Sequence, residues 1–126
     1  MHRRSIPAAL LPRFALLALL VASVSSCTLE TLDPAACPTE GTKLSYDNFG
    51  KAFFLSYCDY CHSAEIGDRK GAPDSYDFST REKIVAHKER IYQRSAGTND
   101  SMPPGPDDPP LAEREQLAEW LNCGAP

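Results

Sequence analysis

The sequence predicts an all-α domain, and three observations point there. Apolar residues recur at helical spacing in three separate segments, and loops rich in proline and glycine part those segments. No stretch alternates apolar and polar residues as a half-buried strand does.

The first helix is expected from Ser45. Ser45 and Asp47 are candidate N-caps, and Phe49, Phe53, Phe54 and Tyr57 follow at helical spacing into Cys58. "IGDRKGAPDSYDFS" is then a loop punctuated by Gly67, Gly71 and Pro73. A second helix starts near Ser79, which forms a capping box with Glu82. Ile84, Val85, Ile91 and Tyr92 give it one apolar face, and Gly97 ends it. The prolines of "TNDSMPPGPDDPP" forbid regular structure, until Pro110 opens a last helix, "LAEREQLAEWLNC". Leu117, Trp120 and Leu121 form its buried stripe.

Ahead of these elements stands a leader. Arg3, Arg4 and Arg13 make the start positive, and "FALLALLVASVSS" is apolar or small. That run is shorter than the roughly 20 residues of a spanning helix. Residues 1–26 therefore read as a secretory signal peptide, with a short membrane anchor as the alternative. Cleavage before Cys27 leaves 100 of the 126 residues. It removes three arginines and no acids, so the net charge falls from −4 to −7. That balance excludes nucleic acid as a partner and favours a protein with a basic docking patch. Residues 27–44, rich in Thr, Pro and acids, read as a tether, and residues 45–126 as the domain.

"VSSC", ending at Cys27, resembles the lipobox of bacterial lipoproteins. The resemblance implies that Cys27 is lipid-modified and becomes the new N-terminus. The domain is then held to a membrane facing the periplasm or the cell exterior. Ordinary secretion is the alternative.

The chemistry lies in "CDYCH", residues 58–62. Cysteines at i and i+3 share a helical face, and a histidine directly after them can turn toward the same point. Cys58, Cys61 and His62 thus meet what covalent haem needs: two thiols for two vinyl groups and one imidazole for iron. Competing readings are a zinc half-site and a redox dithiol. Zinc needs four ligands, and Cys37, Cys123 and His87 stand at no such spacing. A thioredoxin-like dithiol expects a strand before the motif, whereas this one ends a helix. Removing the leader leaves Met102 as the single methionine, in a loop stiffened by Pro103 and Pro104 that could hold a thioether on iron. His87 is the rival sixth ligand. His/Met ligation raises the reduction potential.

With these residues in hand, the chain from about Ser45 to Cys123 resembles the class I cytochrome c family. Gly50, Phe54 and Cys58 match the family's glycine, aromatic and first haem cysteine at four-residue steps, and Leu117, Trp120 and Leu121 match its last helix. The resemblance implies N- and C-terminal helices that cross closely at the glycine, around one covalently bound haem c. It also implies that the carbonyl of Pro73 accepts a hydrogen bond from the ligating imidazole. Arg69, Lys70 and Arg94 are candidates for the haem propionates. The family's glycine after the motif is replaced by Ser63. Cys37 and Cys123 remain after lipid and haem take the other three cysteines. The implied fold brings the chain ends together, so an oxidising compartment favours a disulfide, worth roughly 4 kcal/mol in the chain-entropy model.

The expected function is electron transfer by one haem in an exported, lipid-anchored protein that is not itself an enzyme. The alternatives are a haem-based sensor or peroxidase-like enzyme with a labile sixth ligand, and a structural lipoprotein without haem.

Overall fold

A computed structural model describes residues 29–126; the leader and Cys27 lie outside the described residues. The described chain is all-α, with no strand. Five helices follow one another: α1 Lys51–Tyr57, α2 Asp59–His62, α3 Arg81–Ala86, α4 Lys88–Ser95 and α5 Leu111–Asn122.

The chain enters α1 through a wide π-type turn, Tyr46–Gly50. Ser45 caps it: its hydroxyl accepts from the Asn48 N–H, and the Asn48 side chain accepts from the Ser45 N–H. The turn presents Gly50 to α5. A Cβ on Gly50 would lie 2.8 Å from both Cη2 and Cζ2 of Trp120, so only glycine permits this approach. The entry of the first helical segment and α5 therefore meet at Gly50 and Trp120. Trp120 is fully buried, its indole N–H donating to the Pro126 carbonyl at 3.2 Å. Leu117 and Leu121, the rest of the expected stripe, are fully buried as well.

Two expected helices are broken. The first is interrupted at Cys58, which ends α1 and begins α2. The second is interrupted at His87, whose φ of −113° and ψ of 10° part α3 from α4. At that break the His87 ring packs 5.1 Å from Tyr76 and 6.0 Å from Phe78. The second segment also starts one residue later than expected, with Thr80 as its N-cap. The reason is Asp77. Its Oδ1 accepts from the Ser79 N–H at 3.0 Å, folding Ser79 into a turn and leaving the Thr80 hydroxyl to accept from Lys83.

The segment read as a tether lies against the domain. The Asp33 N–H donates to Asn122 Oδ1 at 2.9 Å, and the Thr42 hydroxyl donates to Glu119. Cys37 and Cys123 form a disulfide with Cα atoms 4.9 Å apart. Among the described residues no helix is long and apolar enough to cross a membrane.

Candidate functional site

Aromatic rings lead from the helix crossing to the motif. Trp120 lies 6.3 Å from Phe54, Phe54 meets Phe78 edge-on at 5.7 Å, and Phe78 stacks on His62 at 4.7 Å and 25°. The Phe78 N–H also donates to the His62 carbonyl at 2.6 Å. The ring and the backbone of one residue thus fix His62 from two directions.

The imidazole is aimed by a carbonyl. His62 Nδ1 lies 2.9 Å from the Tyr76 carbonyl oxygen. A carbonyl only accepts, so Nδ1 carries the proton and Nε2 keeps its lone pair for a metal. Pro73, expected to supply this acceptor, does not. Its carbonyl accepts from the Tyr76 N–H at 3.0 Å, closing a turn that brings Tyr76 to the imidazole instead. Pro73 stands on the wall of the adjoining cavity.

Arg69 braces the same carbonyl. Nη2 donates to the Tyr76 oxygen at 2.7 Å and Nε to the Cys61 carbonyl at 3.2 Å, with the side chain only 12% exposed. Arg69 is therefore engaged behind the histidine and is not among the residues lining the cavity, contrary to its expected role toward propionates. Lys70 and Arg94 do line it, joined by Arg90, which sequence reading did not single out.

That cavity has a volume of about 370 Å³ and largely apolar walls, within the size range of small-molecule sites. Cys58, Cys61, His62 and Met102 all line it, and His87 does not. Cys58 and Cys61 are free thiols. Burial, then the nearby Asp59 carboxylate and Cys61, push the Cys58 thiol up. A redox dithiol needs the opposite, a stabilised thiolate. Burial, with the charges of Asp77 and Glu65, raises the Asp59 carboxyl too, and its Oδ1 is buried without a partner. Among the described residues no group of three or more His, Cys, Asp or Glu side chains stands together as metal ligands.

Met102 is carried by a loop and is 40% exposed. Its N–H donates to the Arg94 carbonyl at 2.9 Å. Arg114 of α5 pins the loop's two ends: its guanidinium donates to the Gly97 carbonyl at 3.1 Å and the Pro109 carbonyl at 3.0 Å. Its own carbonyl accepts from the Gly97 N–H at 2.9 Å. Nothing in the sequence marked Arg114, and Arg69 was singled out only for the propionates, because an arginine serving backbone carbonyls looks like any solvated charge.

The donor set fits a haem c: two thiols, an imidazole with Nε2 available and a thioether share one apolar cavity with Lys70, Arg90 and Arg94. Comparison of the chain with protein-family models, with curated proteins and with solved structures finds no match.

Proposed function

We propose that the chain carries one covalent haem c and transfers single electrons as an exported, lipid-anchored protein of the class I cytochrome c type. The observation that carries this reading is the gathering of Cys58, Cys61, His62 and Met102 on one apolar cavity, with His87 elsewhere. Cys58 and Cys61 would hold the haem through thioether bonds, each thiol S–H adding across one vinyl double bond. His62 would supply Nε2 to iron, with its Nδ1–H donating to the Tyr76 carbonyl. Met102 would offer its thioether to the same iron, and Lys70, Arg90 and Arg94 would offer charge to the propionates. Bound haem supplies the one-electron iron couple. With His62 and Met102 both given to iron, the domain would act as a carrier rather than an enzyme.

The leader exports the chain, lipid on Cys27 holds it to a membrane, and its redox partners present basic patches to its acidic surface. Absorption spectra of the oxidised protein test the ligand set. Met102→Ala should lose the thioether-to-iron band, and His87→Ala should keep it. The reverse result would overturn the assignment.

The exposure of Met102 favours a second reading, a haem sensor or peroxidase-like enzyme whose sixth ligand yields to small molecules. Rapid carbon monoxide binding to the reduced wild-type protein at neutral pH would select it.

A further inference from the structure

The segment just after Cys27 is tied down at the corner between α4 and the Met102 loop. The Glu30 N–H donates to Asn99 Oδ1 at 3.2 Å, and Asn99 Nδ2 donates to the Glu30 carbonyl at 2.9 Å. The Thr98 N–H donates to the Glu30 carboxylate at 3.1 Å. Asn99 is itself buried and also donates to the Tyr92 carbonyl at 3.0 Å, so this clasp is anchored to α4. Behind it, the bond from Asp33 to Asn122 and the Cys37–Cys123 disulfide hold the same segment to the end of α5.

The consequence is one of reach. Residues 27–44 as a free tether could extend about 60 Å. Clasped at Glu30, only three residue steps separate Cys27 from the domain, a span of at most about 10 Å. That is close to one Debye length at physiological salt, about 8 Å. The acidic net charge therefore cannot float the domain clear of an anionic lipid surface, as it could on a long tether.

We propose that residues 30–37 act as a strap that sets the domain on the membrane by its Gly97–Asn99 corner, a lipid surface being the partner of that corner. Met102 follows Asn99 by three residues, so the strap places the sixth-ligand side of the cavity beside the lipid. Electron exchange is then with partners in, or resting on, the same membrane. This rests on lipidation of Cys27 as proposed above.

The test uses the full lipidated protein in phosphatidylcholine vesicles containing phosphatidylglycerol and a gadolinium-chelate headgroup lipid. Nuclear magnetic resonance reads the broadening of the Thr98 and Ser101 amides. The native chain should show strong broadening there, and a flexible Gly/Ser spacer inserted between Leu29 and Glu30 should reduce it about tenfold while leaving fold and strap intact. Equal broadening in the two chains, with lipid on Cys27 verified by mass spectrometry, overturns the strap proposal alone. A chain that carries no lipid on Cys27 overturns the anchoring reading and this proposal with it.

Discussion

The two walls of the cavity are built differently. On one, His62 is held by a ring, a carbonyl and a backbone bond: Phe78 stacks on it, Tyr76 accepts its Nδ1 proton and Phe78 N–H takes its carbonyl. Arg69 secures the carbonyl in turn, and the aromatic series through Phe54 reaches Trp120 in the core. On the other wall, Met102 is exposed and is held by one backbone bond within a loop pinned at its ends by Arg114. One wall is part of the folding core and the other is draped over it. Damage to the His62 wall should therefore destabilise the domain, whereas damage to the Met102 wall should open the cavity and leave the core intact.

The comparison breaks first at Phe78. Phe78→Ala removes a buried ring from between Phe54 and His62 and should cost about 3–5 kcal/mol in urea unfolding. A loss below 1 kcal/mol would mean that the His62 wall is not part of the core. Gly50→Ala tests the far end of the aromatic series. Alanine in a helical turn normally gains roughly 0.5–1 kcal/mol, but the new Cβ collides with Trp120. Overpacking of about 1–3 kcal/mol outweighs that gain, so a net loss of about 1 kcal/mol is expected by thermal denaturation.

A smaller effect comes from Asp77, which ties the Phe78 segment to α3 and to the residue after Ser63. Its carboxylate accepts from Lys83 Nζ at 2.6 Å and from the Ser79 and Ala64 N–H groups. The Lys83 ammonium, then the Ser79 N–H, hold this carboxyl well below the usual carboxylate range. A depressed carboxyl stabilises the fold above its unfolded value, about 3.9, and loses that contribution as pH falls through the folded value. Asp77→Asn should therefore lower stability at pH 7 and flatten its decline below pH 4, read from denaturant midpoints across pH. Parallel pH profiles for the two proteins would contradict this. Least of all, Met102→Ala should leave the unfolding midpoint of the haem-free protein within about 0.5 kcal/mol of wild type, as befits an exposed loop side chain.

What the sequence made legible follows the same division. Side-chain periodicity marked the helical stripes, because helix geometry converts sequence distance into faces, whereas the meeting of Gly50 with Trp120 was legible only through the family resemblance. The candidate ligands were legible as residue types with distinctive chemistry. What escaped was backbone chemistry. Tyr76 rather than Pro73 receives the imidazole proton because of a turn that no side chain advertises. The loop path depends on Lys70 and Gly71 at positive φ and on Arg69 gathering two carbonyls, and none of these carries periodicity. The tether was misread for a related reason. A polar, proline-containing segment can be solvated, or tied down by Asn99 and Asn122, and composition is the same in both cases.

The central claim is that Cys58 and Cys61 bind haem covalently. The most direct measurement is a haem stain on a denaturing gel of the exported protein, expressed with and without haem-attachment machinery. The account predicts a stained band at the chain's mass only with the machinery, abolished in the Cys58→Ala, Cys61→Ala double variant and retained in Met102→Ala. A folded, exported chain that never stains would contradict it.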